Sequence, residues 1–177
     1  MKTQTELQEE NDKLNKEITR LRKEIGDTRT GNFGEGSVAN YYASNGYIVY
    51  KSLDPFDNGK DLLIQKDGIT LKVEVKTGVP FADGSFLVLA ENQLSKITTC
   101  DKLIYVAGFY KGNEQHWSSG NVYEVPKKPM RATHNAKLIG KLCFPITEMT
   151  ELYKITDSNE IAYLKKYSTS TYDPKKK

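Results

Sequence analysis

The chain has 177 residues with 26 Lys or Arg, 23 Asp or Glu and a net charge of +3. That length suits one compact domain with an appendage, and so mild a charge neither requires nor excludes a nucleic-acid partner. No apolar run is long enough to span a membrane, and the first residues lack the apolar core of a secretory signal. Cys100 and Cys143 form no CxxC pair, which predicts free thiols in a reducing, cytoplasmic setting.

The segment from Leu7 to Ile25 has the heptad pattern of a short leucine zipper. The d positions hold leucine and the a positions hold Asn or Ile: Leu7, Leu14 and Leu21 at d, and Asn11, Ile18 and Ile25 at a. β-Branched residues at a with leucine at d favour a parallel dimer, and one Asn at a fixes its register. Glu17 and Arg22 have the g-to-e′ spacing of an interchain ion pair.

We therefore predict a dimeric coiled coil over residues 1–28, which makes the protein a homodimer through residues 7–25. The following "GDTRTGN" contains two glycines and two threonines and is expected to break the helix as a hinge. Three alternatives remain for the first segment: a single solvated helix, a helix that packs on its own domain, or a helix that joins a different protein.

The next part, residues 29–146, predicts an α/β domain. In chain order its elements are a helix in "FGEGSVANYYASNG" ended by Asn45-Gly46, strands in "YIVYKSL", "KDLLIQK" and "TLKVEVK", a short helix in "AENQLSKIT", and strands in "KLIYVAGFY" and "NVYEV". Asp67-Gly68 joins the second and third strands in a hairpin, and "DPFDNG" and "KGNEQHWSSGN" read as loops. This order predicts a mixed central sheet flanked by helices.

The last part, residues 147–177, predicts two further helices and a flexible tail. The helices are expected in "TEMTELYKI" and "SNEIAYLKKY", and the tail "STSTYDPKKK" is polar and basic.

Three carboxylates and one lysine are expected to meet on this fold. Glu35 shares a helix face with Val38 and Tyr42, and that face should turn towards the sheet. The hairpin can place Asp61 beside Glu74 and Lys76, which alternate with apolar residues on the third strand. Clustered carboxylates repel one another unless a cation joins them, and oxygen ligands suit Mg²⁺ or Mn²⁺. Lys76 could then orient or help to deprotonate a water beside such a metal.

The stretch "GEGSVANYYASNGYIVYKS…KDLLI…LKVEVKTG" resembles the core of the PD-(D/E)XK nuclease superfamily. The similarity covers about residues 31–110 and is strongest to archaeal-type Holliday-junction resolvases and restriction-endonuclease-like proteins. It implies a restriction-endonuclease-like mixed sheet preceded by a coiled coil. One departure from the family pattern is Lys60, which stands where many members have proline before the aspartate.

The resemblance also implies a role for each residue of the motif. Asp61 matches the metal-binding aspartate, and Glu74 and Lys76 match the E and K of ExK. Glu35 matches the helix glutamate, and Gln93 a polar residue near the metal or the DNA. In such a site Asp61, Glu74 and the Val75 carbonyl hold Mg²⁺, with Glu35 ordering the site through a water or a second metal. The function implied is a Mg²⁺-dependent DNA endonuclease, restriction-like or junction-resolving, that acts as a homodimer.

Each assignment has a simpler alternative. Glu74 and Lys76 could form an ion pair on a solvated strand face, Asp61 could cap the preceding loop, and Gln93 could lie on an exposed helix face. For the whole protein, the alternative is a non-catalytic DNA-binding or scaffold protein that carries a nuclease-like fold on a coiled coil.

Overall fold

The computed structural model describes residues 1–52, 61–81, 85–110, 117–132, 135–156 and 170–172. Several predicted segments fall outside these ranges: the "DPFDNG" loop, the first residues of "KGNEQHWSSGN", the helix predicted over 158–167 and most of the basic tail. Within the described ranges, no helix combines the length and the apolar character needed to cross a membrane.

The first element is a helix of 41 residues, α1, which spans Gln4–Ser44. It begins at a capping box in which the Thr3 hydroxyl accepts from the Glu6 N–H while the Glu6 carboxylate accepts from the Thr3 N–H. It ends as predicted at Asn45 and Gly46, and Gly46 has the positive φ of 86° that glycine tolerates best.

α1 continues without interruption through Gly26 and Gly31, so the predicted break in the helix is wrong. Each glycine costs a helix about 1 kcal/mol relative to alanine, but it still donates its backbone hydrogen bond, which proline could not. A turn-rich composition therefore weakens this stretch without ending it. The zipper-like segment and the segment that packs on the domain belong to one helix.

Seven of the nine strands in the described residues form one mixed sheet. This confirms the predicted α/β class with a mixed central sheet. In chain order the strands and the second helix are β1 Ile48–Ser52, β2 Leu62–Lys66, β3 Ile69–Gly78, β4 Phe86–Ala90, α2 Leu94–Thr99, β5 Lys102–Tyr110, β6 Trp117–Val125, β7 Lys141–Pro145, β8 Thr150–Thr156 and β9 Ser170–Tyr172. The main sheet has the order β8-β6-β5-β3-β2-β1-β9, and β4 pairs with β7 in a separate two-stranded sheet. The β3–β5 and β1–β9 pairs are parallel and the other pairs are antiparallel.

The predicted hairpin between β2 and β3 is confirmed. Asp67 and Gly68 both have positive φ values, 51° and 77°, as a two-residue turn between twisted strands requires. Its register pairs Leu62 with Val73 and Ile64 with Leu71. The start of β2 therefore lies beside the second half of β3.

The C-terminal part differs from the sequence-based expectation. "TEMTELYKI" forms a short 3₁₀ turn, Ile146–Glu148, followed by strand β8 rather than a helix. Tyr153 and Ile155 favour strands, and the free edge of β6 supplies the backbone partners that a pattern of nine residues cannot reveal. Strands β4 and β7 were likewise not expected, and they pair with each other. The expected flexible tail is wrong at Ser170–Tyr172, which form strand β9 beside β1.

The two faces of the main sheet have separate cores. On β5, Ile104 and Val106 pack in the cluster that contains α1, whereas Leu103 and Tyr105 pack in a second cluster with residues of β4, β7 and α2. Alternate side chains of a strand point to opposite faces. Val73 and Val75 of β3 lie in the α1 cluster, so the charged residues between and after them point to the other face.

Close approach of β5 and β6 generates a prediction at Gly120. A Cβ at this position would lie 2.4 Å from the carbonyl oxygen of Ala107, a backbone atom that cannot rotate away. Gly120→Ala is therefore expected to lower the free energy of unfolding by about 1–3 kcal/mol, as overpacking commonly does. Urea denaturation measures the change. A stability equal to that of the wild type would contradict this account of the sheet.

Candidate active site

Glu74 is a charged residue in the middle of the central strand β3, and its side chain is only 1% exposed. Its Oε1 accepts from the Lys76 ammonium at 2.7 Å. Its Oε2 has no hydrogen-bond partner within the part of the chain that the structure describes. A buried carboxylate oxygen without a donor is unfavourable and calls for a cation or a donor to satisfy it.

Lys76 links this carboxylate to the short helix that follows β4. Its side chain is 18% exposed, whereas that of Glu74 is 1% exposed. Besides the bond to Glu74, it donates to Gln93 Oε1 at 3.0 Å. Gln93 ends the 3₁₀ turn Glu91–Gln93, directly before α2. Two acceptors thus fix the position of the Lys76 ammonium.

Asp61 lies directly before β2 and is tied to β3 by its backbone and its side chain. Its N–H donates to the Val73 carbonyl at 2.8 Å, and its Oδ2 accepts from the Val75 N–H at 2.8 Å. Burial, aided by the negative charges of Glu74 and Glu35, raises the pKa of Asp61 to about 7. The Val75 N–H and the Lys76 charge act in the opposite direction.

Glu35 approaches the same place from α1. Its side chain is 22% exposed and forms an ion pair of 3.2 Å with the Lys51 ammonium on β1. Its charge contributes to the raised pKa of Asp61, which places it within electrostatic range of that carboxylate. Glu35 therefore lies at the rim of the site, while Glu74 lies inside it.

The structure brings Asp61, Glu74, Lys76 and Gln93 together around the second half of β3, whereas Glu35 on α1 is linked to them only through its electrostatic effect on Asp61. Glu74 and Lys76 do form the ion pair of the simpler alternative. The pair does not lie on a solvated face, because Glu74 is buried and Lys76 is only 18% exposed. Gln93 is half-buried against Lys76 rather than on an exposed helix face. Val75 contributes its N–H to Asp61 from the strand position between Glu74 and Lys76.

The donor chemistry of this site suits a hard cation, although the side chains are not gathered around one. Asp61, Glu74 and Glu35 offer only oxygen, which Mg²⁺ and Mn²⁺ prefer. Across the described residues, no three His, Cys, Asp or Glu side chains are grouped closely enough to form a ready-made set of metal ligands. The unpartnered Glu74 Oε2 is the atom of this site that a cation would satisfy.

Two residues of the site escaped the sequence reading. Gly34 on α1 and Thr77 on β3 face each other, next to Glu35 and Lys76 respectively. The available signal was the pair of glycines that flank Glu35, since glycine inside a helix often marks a close approach of another segment. The residue of β3 that contacts Gly34 could not be identified, because the sequence does not show how α1 lies along β3.

Comparisons with known proteins found no matching family model, no similar curated protein and no similar solved structure.

The raised pKa of Asp61 predicts a pH dependence of stability. The pKa is 3.8 for an unperturbed carboxyl and about 7 in the folded protein. Between these values the folded chain keeps a proton that the unfolded chain has released, so the free energy of unfolding falls as the pH rises from 4 to 7. One pKa unit corresponds to about 1.4 kcal/mol, so the fall amounts to a few kcal/mol.

Asp61→Asn removes this titration and should flatten the fall. Urea denaturation at pH 5 and pH 8, with EDTA present, measures it in both proteins. Asp67→Asn makes the same chemical change at an exposed turn and serves as the control. Equal pH profiles for wild type and Asp61→Asn would contradict the burial and charge crowding described for Asp61.

Proposed function

We propose that this protein is a metal-dependent DNA endonuclease with a PD-(D/E)XK, restriction-endonuclease-like core, which hydrolyses phosphodiester bonds as a homodimer. The observation that carries the proposal is the buried Glu74, paired with Lys76 through one oxygen and unpartnered at the other. The free thiols of Cys100 and Cys143 suit the cytoplasmic setting that we propose for it.

The burial of Glu74 argues for a site rather than for a structural ion pair. Desolvating two charges costs several kcal/mol, and a well-packed apolar pair of similar volume is often as stable or more stable. A pair kept for stability alone would also satisfy both carboxylate oxygens. Here one oxygen lacks a donor, and the charge of Glu74 helps to raise the pKa of the nearby Asp61. An arrangement that is unfavourable in the apo protein is typical of a binding or catalytic site.

In the proposed enzyme Asp61, Glu74 and the Val75 carbonyl hold the cation, and Glu35 borders it. Mg²⁺ is the expected ion and Mn²⁺ the expected substitute, because every ligand is oxygen. A cation bound there would polarise a phosphate and lower the pKa of a bound water.

Lys76 supplies a fixed positive charge beside the proposed reaction centre. Its side chain is partly exposed, and its ammonium is held by Glu74 and Gln93. Placed there, it positions the attacking water and stabilises the negative charge that develops on the phosphate oxygens. Gln93 acts through Lys76 by holding its side chain in place.

The homodimer is proposed through the first half of α1. The apolar residues of the zipper pattern are exposed in the single chain, with relative exposures of 53% for Leu7, 57% for Leu14, 45% for Ile18 and 43% for Leu21. An apolar stripe at heptad spacing on a long exposed helix is suited to a second copy of the same helix. Two joined copies would provide two active sites, one for each strand to be cut.

Cleavage by site variants tests the proposed reaction. Lys76→Ala and Glu74→Gln should each lower plasmid cleavage in Mg²⁺ by roughly a hundredfold or more, because each removes a group that stabilises the transition state or its cation. Lys72→Ala is the matched control, since Lys72 is an exposed lysine on the same strand. Circular dichroism checks that the variants are folded.

Three outcomes are informative. Cleavage that requires Mg²⁺ or Mn²⁺, stops in EDTA and is lost in both site variants supports the proposal. Wild-type cleavage by both variants rules out this site. A wild type that binds DNA but cuts neither plasmid nor branched DNA with any divalent ion supports the non-catalytic binding or scaffold protein instead.

The dimer is tested by substitutions along the zipper stripe. Leu14→Ala with Ile18→Ala should convert a micromolar dimer to monomers, because it removes seam packing, while alanine preserves the tendency to form a helix. Lys13→Ala with Lys16→Ala changes the same helix outside the seam and should leave the dimer intact. Sedimentation measures the oligomeric state, and the cleavage products should shift from linear to nicked plasmid. An unchanged dimer in the seam variant would contradict this interface.

A further inference from the structure

Gly34 and Thr77 bring α1 and β3 unusually close beside the proposed site. A Cβ built on Gly34 would lie 1.8 Å from Thr77 Oγ1 and 2.9 Å from Thr77 Cβ. Contacts of that length do not occur, so any residue larger than glycine would force the helix and the strand apart. The absence of a side chain at Gly34 is a condition for this packing.

The contact is kept although it leaves a polar atom without a hydrogen bond. Thr77 Oγ1 is buried and has no hydrogen-bond partner within the described residues. A buried unpartnered hydroxyl costs about 1–3 kcal/mol. Valine or alanine at this strand position would avoid that cost, so stability alone does not account for the contact.

Each member of the pair adjoins a residue of the proposed site. Gly34 directly precedes Glu35, whose carboxylate pairs with Lys51 and acts on Asp61. Thr77 directly follows Lys76 on β3. Asp61 is bonded to β3 at Val73 and Val75, so the distance between α1 and β3 at this contact sets how far Glu35 lies from Asp61.

We infer that Gly34 and Thr77 are a pair of positioning residues whose close contact holds Glu35 at its working distance from Asp61. The inference rests on the proposed nuclease function. Neither residue is assigned a contact with substrate or metal. Their effect is exerted through the placement of the helix.

Gly31 provides a matched control in the same helix. It lies three residues before Gly34, and a Cβ there would meet no described atom within 4 Å. Gly31→Ala should therefore only improve helix formation, by roughly 0.5–1 kcal/mol. The same substitution at Gly34 combines that gain with a collision against Thr77.

The experiment compares cleavage and stability in the full-length variants Gly31→Ala, Gly34→Ala and Thr77→Gly and in the double variant Gly34→Ala with Thr77→Gly. Gly34→Ala should lower the cleavage rate at saturating DNA by roughly a hundredfold, the loss associated with a misplacement of about 1 Å. The DNA concentration for half-maximal rate should change little. The double variant should recover most of the rate, because Thr77→Gly removes the three atoms nearest to the new methyl group.

The outcomes separate this inference from the proposed function. A wild type without metal-dependent cleavage refutes both. If the wild type is active and Gly34→Ala is equally active, the positioning role of Gly34 and Thr77 is refuted and the proposed function stands. If Gly34→Ala does not fold, the double variant decides: a folded, active double variant supports the pair, and one as impaired as Gly34→Ala overturns it. A loss of rate in Gly34→Ala under conditions where urea denaturation shows the variant to be folded, with recovery in the double variant, separates misplacement of the site from unfolding.

Discussion

The ion pair between Glu74 and Lys76 is the constraint on which the arrangement of the site depends. Glu74 is almost completely enclosed in the centre of the main sheet, and an enclosed carboxylate needs a cation close by. Lys76 meets that need through one oxygen, and Gln93 holds Lys76 in place. Removing one partner of a buried pair commonly costs 3–5 kcal/mol, so the pair cannot be loosened without consequences for the strand around it.

Strand β3 connects this pair to the rest of the fold. Its apolar residues Val73 and Val75 pack under α1, while its charged residues point to the opposite face. The same strand pairs with β2, which brings Asp61, and with β5, which is buried on both faces. Because the strand is fixed on both sides and on both faces, its charged side chains have little freedom to avoid one another. Beside this strand, burial of Asp61, aided by the charge of Glu74, raises its pKa to about 7.

The sequence was informative where local chemistry decides the structure. The alternation in "TLKVEVK", the Asp67-Gly68 turn and the Asn45-Gly46 helix end are local signals, and each was confirmed. Glu35, Asp61, Glu74 and Lys76 could be selected in advance because the helix face and the hairpin were expected to bring three carboxylates near one lysine. Gln93 was selected only through the resemblance to the nuclease superfamily.

The errors arose where partners distant in sequence decide. β8 is a strand because β6 offers it an edge. The wrong helix break had a different cause: α1 continues through Gly26 and Gly31 although that stretch is rich in helix-weakening residues. The Gly34–Thr77 contact joins residues 43 positions apart in the chain, and it was invisible before the packing of α1 on β3 was known. The roles of the site residues stay predictions, since geometry alone does not demonstrate a reaction.

The continuity of α1 changes how the proposed dimer would work. A hinge after the zipper would let each globular domain move independently, so that the coil acted only by raising the effective concentration of the second domain. An unbroken helix instead carries the zipper stripe and Glu35 on one element. From Ile25 to Glu35 the rise is about 15 Å at 1.5 Å per residue. In the proposed dimer the end of the seam therefore sets the position of each Glu35, and the Gly34–Thr77 contact passes that position on to β3. The separation of the two active sites then becomes a property of the helix pair, which would restrict the DNA geometries that both sites can engage together.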